Sequence, residues 1–245
     1  MKGSIIMFKT YKKILFDLDN TLIDDDENRR YAFKQVLLNK KGKSSKEEIE
    51  RFINLDNKFW SDRAKGKIKD PYEFKNNDEK TRWVRSKRFM DFFSDITFEE
   101  AAEINNYYIN NLGKIVVPID NAKEVLEYLY NKDYQIYIVT NGPIKAINDK
   151  LNGIRSKEYI KDIFSAEEAG SMKPNDTFFE KFFEKIKVNK KDDMLIIGDE
   201  LEKDVLGGNL HGIDSCWFNS KNEPNSLNIK PTYEIKNLIE LKKFL

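Results

Sequence analysis

Short apolar runs that stop abruptly at Asp, Thr or Gly are the feature that most limits what this chain can fold into. Runs of this length and composition are typical of strands buried on both faces, as in a parallel sheet covered by helices. Helical patterns separate them, so strands and helices alternate along the chain. The sequence therefore predicts an α/β fold with a doubly wound parallel sheet. The predicted strands occupy residues 14–17, 136–140 and 195–199, with weaker runs at 163–166 and 215–219.

One interval breaks this alternation. Roughly 120 residues separate the ends of the first two predicted strands, whereas a strand–helix–strand crossover needs only about 30. A helix predicted at 120–132 serves as that crossover, which leaves residues 24–115 as a helical insertion. The sequence thus predicts a core of residues 1–23 and 116–245 and an inserted subdomain of residues 24–115. Helices are predicted at 26–41, 45–64, 71–94 and 98–111 in the insertion, and at 143–152, 174–187, 202–211 and 236–244 in the core.

Composition restricts the classes of partner and compartment. The chain carries 43 Lys and Arg against 42 Asp and Glu, which argues against a general attraction to nucleic acid or an anionic membrane. An apolar run at residues 5–8 is too short for a signal-peptide core, and no apolar stretch reaches 18 residues. Cys216 is the only cysteine, so an intramolecular disulfide and a cysteine-cluster metal site are excluded. We expect a cytoplasmic monomer or homodimer with neither a nucleic acid polymer nor a membrane as partner.

Polar residues follow the predicted strands at the points where the strands end. Ligands of open α/β sheets bind at the carboxyl ends of the strands, near the topological switch point. We therefore expect these side chains to form one constellation of carboxylates, an ammonium and a hydroxyl. Its members are Asp17 and Asp19 after the first strand, Thr140 and Asn141 at the second, Lys173 before the helix at 174–187, and Asp199 and Asp204 after the run at 195–197.

Taken in order, these segments resemble the four motifs of the haloacid dehalogenase (HAD) superfamily. The motifs are Asp-x-Asp-x-Thr, a strand-end Thr or Ser, a Lys, and Gly-Asp-x-x-x-x-Asp, and the resemblance extends over essentially the whole chain. It implies a Rossmann-like core in which the insertion is the helical cap of the superfamily's early-cap type. The dehalogenases lack the second Asp of the first motif, so Asp19 points to a phosphatase or a phosphomutase.

The resemblance also implies a role for each catalytic residue. Asp17 attacks phosphorus to form an aspartyl-phosphate, and Asp19 protonates the leaving alcohol and later activates water. Thr140 and the backbone N–H of Asn141 bind phosphate oxygens. Lys173 offsets the crowded negative charge.

The acidic residues predict a magnesium site. Carboxylates clustered without His or Cys favour a hard, oxygen-preferring cation, and Mg²⁺ is the usual one beside phosphate. The resemblance implies Asp17, the backbone carbonyl of Asp19, and Asp199 as ligands, with Asp204 acting through water or by orienting Lys173. Glu200 and Glu202 flank this position and are alternatives to Asp199.

The expected substrate is a small phosphomonoester. The segment 204–219 is similar to the bacterial 5′-nucleotidase branch of the superfamily, which implies a nucleoside 5′-monophosphate. The alternatives are a phosphosugar phosphatase, a phosphomutase of the β-phosphoglucomutase type, and a non-catalytic protein that responds to phosphate.

Other polar residues have simpler interpretations. Five basic residues between positions 80 and 88 are typical of a solvated helix face. Arg29, Arg30 and Phe33, in the first predicted cap helix, are candidate substrate contacts by the same resemblance. His211 is expected at a helix end and Cys216 in buried packing.

Overall fold

The computed structural model describes residues 9–188 and 190–245, so the apolar run at 5–8 lies outside the described residues. The chain divides into two compact units. The core unit comprises Met1–Asp24, Val117–Gly142 and Ile154–Leu245. The helical unit comprises Asp25–Val116 and Pro143–Gly153, whereas the sequence predicts residues 143–153 as part of the core.

A six-stranded sheet forms the centre of the core unit, and every neighbouring pair of its strands is parallel. This arrangement confirms the predicted doubly wound α/β fold. The described residues form eight strands: β1 (Lys13–Phe16), β2 (Ile23–Asp24), β3 (Val117–Pro118), β4 (Gln135–Thr140), β5 (Asp162–Ser165), β6 (Met194–Gly198), β7 (Asp214–Phe218) and β8 (Tyr233–Ile235). The order in the sheet is β5-β4-β1-β6-β7-β8, and β2 pairs separately with β3 in an antiparallel ladder.

The described residues of the insertion form four helices, the number that the sequence predicts, although some boundaries differ. They are α1 (Asp25–Lys41), α2 (Lys46–Ala64), α3 (Asn77–Phe92), α4 (Phe98–Asn111), α5 (Ala122–Asn131), α6 (Ile144–Gly153), α7 (Ala166–Ala169), α8 (Asp176–Lys185) and α9 (Leu206–Leu210). Two 3₁₀ segments, at Lys157–Tyr159 and Leu238–Lys243, and a π-helical turn at Leu201–Val205 complete the set. Among the described residues, no helix combines the length and the apolar composition that a membrane crossing requires.

The predicted helix starts at residues 71 and 174 are wrong, and the residue before each observed start keeps an extended backbone. The helix predicted from residue 71 begins at Asn77, because the Asn76 side chain accepts a hydrogen bond from the backbone N–H of Glu79 and fixes the start there. The helix predicted from residue 174 begins at Asp176, because Asn175 keeps an extended backbone with ψ 145°. The Lys173–Pro174 peptide bond is cis.

The core of the sheet is apolar throughout its central strands. All five residues of β6 are buried, and Leu15 and Phe16 of β1 have no exposed surface. A stripe of phenylalanines on α8 covers one face of the sheet, with Phe178 packing at 5.1 Å from Phe164 and Phe182 at 5.8 Å from Tyr137, measured between ring centroids. Burial of several aromatic rings, each worth about 1.5–3 kcal/mol, fixes the strands that carry the polar residues.

The helical unit has an aromatic core of its own. Phe33 stacks on Phe52 at 3.8 Å between ring centroids, and Phe89 and Tyr108 pack on the same cluster. Thr97 begins α4 with a capping box, in which the Thr97 hydroxyl accepts the backbone N–H of Glu100 and the Glu100 carboxylate accepts the backbone N–H of Thr97.

A buried ion cluster lies beside this aromatic core. Asp56, only 1% exposed, accepts hydrogen bonds from Arg29 at 2.7 Å and from Arg88 at 2.8 Å, and Arg88 also donates to Asn105. The solvated-face interpretation of the basic run is therefore wrong for Arg88, which is 5% exposed and lies near the rings of Trp60 and Tyr108.

Replacing Asp56 with Asn is expected to destabilise the protein by about 3–5 kcal/mol, because the buried Arg88 guanidinium and the partly buried Arg29 guanidinium lose the counter-charge that they share. Chemical denaturation of the two proteins measures this difference. The control is Glu99→Gln, which removes an exposed partner of Arg82 and is expected to change stability little. Equal effects of the two substitutions would contradict a structural role for the buried cluster.

The pH dependence of this difference is a second prediction. Burial raises the pKa of the Asp56 carboxyl, but Arg88 and Arg29 outweigh burial and hold the pKa below its ordinary value. The ion pairs therefore contribute stability above the ordinary carboxyl pKa of about 4, and this contribution is lost as the pH falls through the lower pKa of the folded protein. We expect the stability difference between wild type and Asp56→Asn to narrow below about pH 4, measured by denaturation over a pH series.

Candidate active site

The candidate site lies in the core unit at the carboxyl ends of β1, β4 and β6. These strands are neighbours, since β1 pairs with β4 on one side and with β6 on the other. The chain runs outward from β1 to β4 and β5 and then returns to β6 across β1, so the topological switch point falls between β1 and β6. Asp17 directly follows β1, and its backbone N–H continues the ladder to the Ile197 carbonyl at 2.9 Å.

The residues after Asp17 form a tight turn. Leu22 and Ile23 both donate backbone hydrogen bonds to the Leu18 carbonyl, and Asn20 donates to the Ile23 carbonyl. Asn20 has φ 60°, a left-handed conformation that asparagine adopts more readily than most residues. The turn brings the chain back on itself, with Asp19 bridged to Ile23.

Asp19 shares a small space with the end of β4. A methyl group at Gly142 would lie 3.1 Å from Asp19 Oδ2 and 3.3 Å from Thr140 Oγ1. The Thr140 hydroxyl oxygen accepts the backbone N–H of Gly142 at 3.0 Å. The structure therefore places Asp19 and Thr140 around one glycine, which leaves room beside them because it has no side chain.

Lys173 is the most enclosed member of the constellation, and its side chain has no exposed surface. Its ammonium donates to Asp17 Oδ1 at 2.7 Å, to Asp204 Oδ1 at 2.6 Å and to the Val139 carbonyl at 2.7 Å. An ammonium group has three hydrogens to donate. All three are accounted for, so Lys173 acts here as a charge partner of the carboxylates.

The acidic residues form a cluster. Oxygen atoms of Asp17, Asp199 and Asp204 all lie within 4.8 Å of one another. Asp204 Oδ2 also accepts the backbone N–H of Glu200, which fixes the π-helical turn between Asp199 and Asp204. Among the described residues, Asp199 is a member of this acidic cluster. Glu200, the alternative to Asp199 as a metal ligand, pairs with Lys203 instead.

Burial decides the electrostatics of the cluster. Burial raises the pKa of Asp17, Lys173 lowers it and Asp204 raises it again, with a net value of about 6. The pKa of Asp199 is raised well above its ordinary value by burial and then by the Asp17 and Asp204 charges. Burial by itself lowers the pKa of Lys173, but the charges of Asp17 and Asp204 raise it by a larger amount. The pKa therefore lies above the ordinary lysine value, and the ammonium stays charged. Three carboxylates around one ammonium carry a net charge of −2 when ionised.

These residues fit a divalent cation of the hard type. The donor atoms are all carboxylate oxygens, which Mg²⁺ prefers. A charge of +2 matches the −2 of the ionised cluster, and it would hold Asp17 and Asp199 ionised despite their raised pKa values.

Three supporting residues have roles that sequence reasoning missed. A methyl group at Gly198 would lie 2.2 Å from Asp204 Cγ, so the glycine of the fourth motif makes room for that carboxylate. The Trp217 indole N–H donates to the Asp199 carbonyl at 2.9 Å and holds the end of β6. Gly142 makes room for Asp19. Gly198 belongs to the fourth motif and Gly142 directly follows Asn141, so the sequence carries a signal for both, whereas nothing in the sequence links Trp217 to Asp199.

The remaining sequence candidates lie elsewhere. Arg29, Arg30 and Phe33 belong to the helical unit. Phe33 is wrong as a substrate contact, because it has no exposed surface and packs in the aromatic core. His211 caps the end of α9 as predicted, and Cys216 is buried as predicted.

Comparison with known proteins identifies the class. Residues 14–218 match the haloacid dehalogenase-like hydrolase family. The HAD-hydrolase YfnB of Bacillus subtilis is 30% identical over 97% of this chain and 96% of its own length. A crystal structure of YfnB bound to magnesium superposes with a TM-score of 0.81 at 29% identity, covering 96% of this chain and 98% of that chain.

Two further relatives have described activities. The pyrimidine 5′-nucleotidase PynA of Streptococcus pneumoniae is 29% identical over 92% of this chain and 91% of its own length. The pyrimidine 5′-nucleotidase YjjG of Escherichia coli is 25% identical over 95% of this chain and 96% of its own length. The chain belongs to the haloacid dehalogenase-like hydrolases, which confirms the resemblance inferred from the four motifs.

The close approach of Gly198 to Asp204 yields a prediction. Gly198→Ala is expected to displace the Asp204 carboxylate and to cost about 1–3 kcal/mol of stability through overpacking. Added Mg²⁺ is expected to raise the melting temperature of the wild type, and Gly198→Ala is expected to lose this rise, because one of the three clustered carboxylates moves. Differential scanning fluorimetry with and without MgCl₂ measures both effects.

The control for this substitution is Gly212→Ala in the same unit, where φ is 72° and a methyl group meets open space. It is expected to cost about 1–2 kcal/mol from the left-handed backbone alone and to keep the response to Mg²⁺. A normal Mg²⁺ response in Gly198→Ala would contradict the assignment of Asp204 to the cation site.

Proposed function

We propose that this protein is a Mg²⁺-dependent phosphatase that hydrolyses a small phosphomonoester through an aspartyl-phosphate on Asp17. The observation that supports the proposal is that two carboxylates at the end of β1 have different neighbours. Asp17 is buried against Lys173, whereas Asp19 lies beside Thr140 and Gly142. A nucleophile and a separate proton donor are what a two-step transfer of a phosphoryl group requires.

The first step breaks the ester bond. A carboxylate oxygen of Asp17 attacks phosphorus, and the bond from phosphorus to the ester oxygen breaks with its electron pair on that oxygen. Asp19, in its protonated form, donates its proton to the leaving oxygen, so an alcohol departs. Thr140 and the backbone N–H of Asn141 bind the phosphoryl oxygens, and Lys173 offsets the charge that Asp17 and Asp204 carry.

The second step releases phosphate. Asp19, now ionised, accepts a proton from water as the water oxygen attacks phosphorus. The bond from phosphorus to the Asp17 oxygen breaks, which regenerates the Asp17 carboxylate and the protonated Asp19. Inorganic phosphate leaves, so both residues end the cycle in the state in which they began.

The cation would be held by the clustered carboxylates. Asp17 and Asp199 supply side-chain oxygens, the Asp19 backbone carbonyl is the third proposed ligand, and Asp204 supports the site through water or through Lys173. Bound there, Mg²⁺ supplies positive charge that neutralises the phosphoryl oxygens.

The proposed substrate is a nucleoside 5′-monophosphate, and the pyrimidine 5′-nucleotidase relatives support this choice. The segment 24–115 is proposed as a cap that selects the leaving group, and the compartment as the cytoplasm. A phosphosugar phosphatase or a phosphomutase would use the same carboxylates and differ in the leaving group or in the fate of the phosphoryl group.

A substrate panel tests the proposed activity. With Mg²⁺, release of inorganic phosphate is expected from nucleoside 5′-monophosphates with higher kcat/KM than from sugar phosphates or phosphoglycolate, measured by phosphate detection. The same panel with excess EDTA should show little release. A higher kcat/KM for a sugar phosphate than for any nucleotide would overturn the nucleotide assignment. Absence of phosphate release from every ester would overturn the proposed phosphatase activity.

Removal of the nucleophile gives a sharper test. Asp17→Asn is expected to lower kcat by at least about 10³-fold, because the amide neither attacks phosphorus nor balances Lys173 in the same way. The matched control is Asp162→Asn, which changes a carboxylate at the first residue of β5, where Asp162 pairs with Lys185 and accepts the backbone N–H of Ile163. Comparable activity in both variants would show that Asp17 is not the nucleophile.

A further inference from the structure

The side chain of Asn141 has a set of contacts that its proposed role does not use. The backbone N–H of Lys173 donates to Asn141 Oδ1 at 2.9 Å, and Asn141 Nδ2 donates to the Lys173 carbonyl at 3.2 Å. One side-chain amide thus pairs with both peptide groups of a residue 32 positions away. The backbone N–H of Asn141, proposed to bind phosphate, is a separate group.

Residue chemistry explains why an asparagine stands here. An amide side chain carries a donor and an acceptor on one planar group whatever the pH. A serine would supply one short hydroxyl, and an aspartate would place a carboxylate oxygen against the Lys173 carbonyl. The two bonds act as a clamp, because each restricts the backbone on one side of the Lys173 Cα.

The clamp joins the contacts that the ammonium makes on the same strand end. Lys173 Nζ donates to the carbonyl of Val139, two residues before Asn141. The end of β4 therefore holds Lys173 at its backbone N–H, its carbonyl and its side-chain nitrogen. From this backbone position the Lys173 ammonium reaches Asp17 at 2.7 Å and Asp204 at 2.6 Å.

The geometry points to Asn141 as a positioning residue, whose side chain holds the Lys173 backbone so that its ammonium bridges Asp17 and Asp204. This inference deepens the proposed function and rests on it for its effect on turnover. Asn141 acts through Lys173, so its side chain contributes to kcat only while that ammonium is present.

A double-mutant cycle tests this dependence. Asn141→Ala is expected to lower kcat/KM by on the order of ten- to a hundredfold, from the loss of two hydrogen bonds, with most of the change in kcat. In a Lys173→Met background, the same substitution should add less than about twofold. An equally large loss in both backgrounds would overturn the inference, because it would mean that the Asn141 side chain contacts the substrate itself.

The matched control is Asn209→Ala. The Asn209 side chain also makes one donor and one acceptor bond in the core unit, to the Lys230 carbonyl and from the Ser215 hydroxyl, and neither involves Lys173. Its loss should leave the kcat/KM of both backgrounds unchanged within about twofold.

A spectroscopic measurement stands independently of turnover. The Lys173 ammonium donates to three buried acceptors, so its ¹H–¹⁵N signal should exchange slowly in protein labelled with ¹⁵N-lysine. The signal is assigned by its absence in Lys173→Arg. Asn141→Ala is expected to shift or broaden this signal, whereas Asn209→Ala is expected to leave it unchanged.

The two measurements separate the two proposals. If no ester is hydrolysed but Asn141→Ala still moves the Lys173 signal, the proposed function fails and the clamp stands. If esters are hydrolysed and the Lys173 signal is identical in wild type and Asn141→Ala, the positioning role is overturned and the phosphatase stands.

Discussion

A buried ammonium between two carboxylates is the interaction on which the rest of the site depends. Lys173 lies between Asp17 and Asp204 with a side chain that has no exposed surface. Buried charges are tolerated only when they are paired and hydrogen-bonded, and the loss of one partner leaves the remaining charges uncompensated. The end of β1, the loop before α8 and the turn after β6 are therefore held in one arrangement. Lys173 balances only one of the two charges on Asp17 and Asp204, and the neighbouring Asp199 adds another when ionised. This excess negative charge is what the proposed cation would balance.

The parallel sheet is what makes this arrangement possible from distant segments. Because β1 lies between β4 and β6, three strand ends deliver their polar residues to one edge while the apolar residues behind them stay buried. Close approach is the second requirement. Gly198 and Gly142 lack side chains at the two places where a carboxylate needs the space. The chemistry is thus carried by a few acidic and basic groups, and the glycines and apolar strands determine how near one another those groups stand.

The sequence predicts the central part of this fold because strands buried in the sheet appear in it as runs of apolar residues. Five of the six sheet strands are readable as apolar runs, whereas the short edge strand β8 (Tyr233–Ile235), partly exposed, carries no such run. The helix starts at Asn77 and Asp176 depend on single capping and backbone conformations, which a pattern of apolar positions does not record. The grouping of polar residues at strand ends was predictable from topology. Three contacts could not be predicted because they depend on tertiary structure: Trp217 with Asp199, Asn141 with Lys173, and Arg88 with Asp56. Nothing in the sequence around Trp217, Asn141 or Arg88 indicates its distant partner.

Helix α6 belongs to the helical unit although its sequence lies far from the insertion. Lys150 on this helix is 2% exposed and pairs with Asp25 of α1, and the Val116 side chain occupies the space that a methyl group at Gly153 would need. The inserted segment is therefore not a self-contained module that could be cut out at its two ends. Excision of residues 25–116 would remove Asp25, with which the buried Lys150 pairs, and would take from the apolar face of α6 the neighbours that it packs against. Any exchange of such insertions between relatives, in evolution or in the laboratory, must carry the matching surface of α6 along with it.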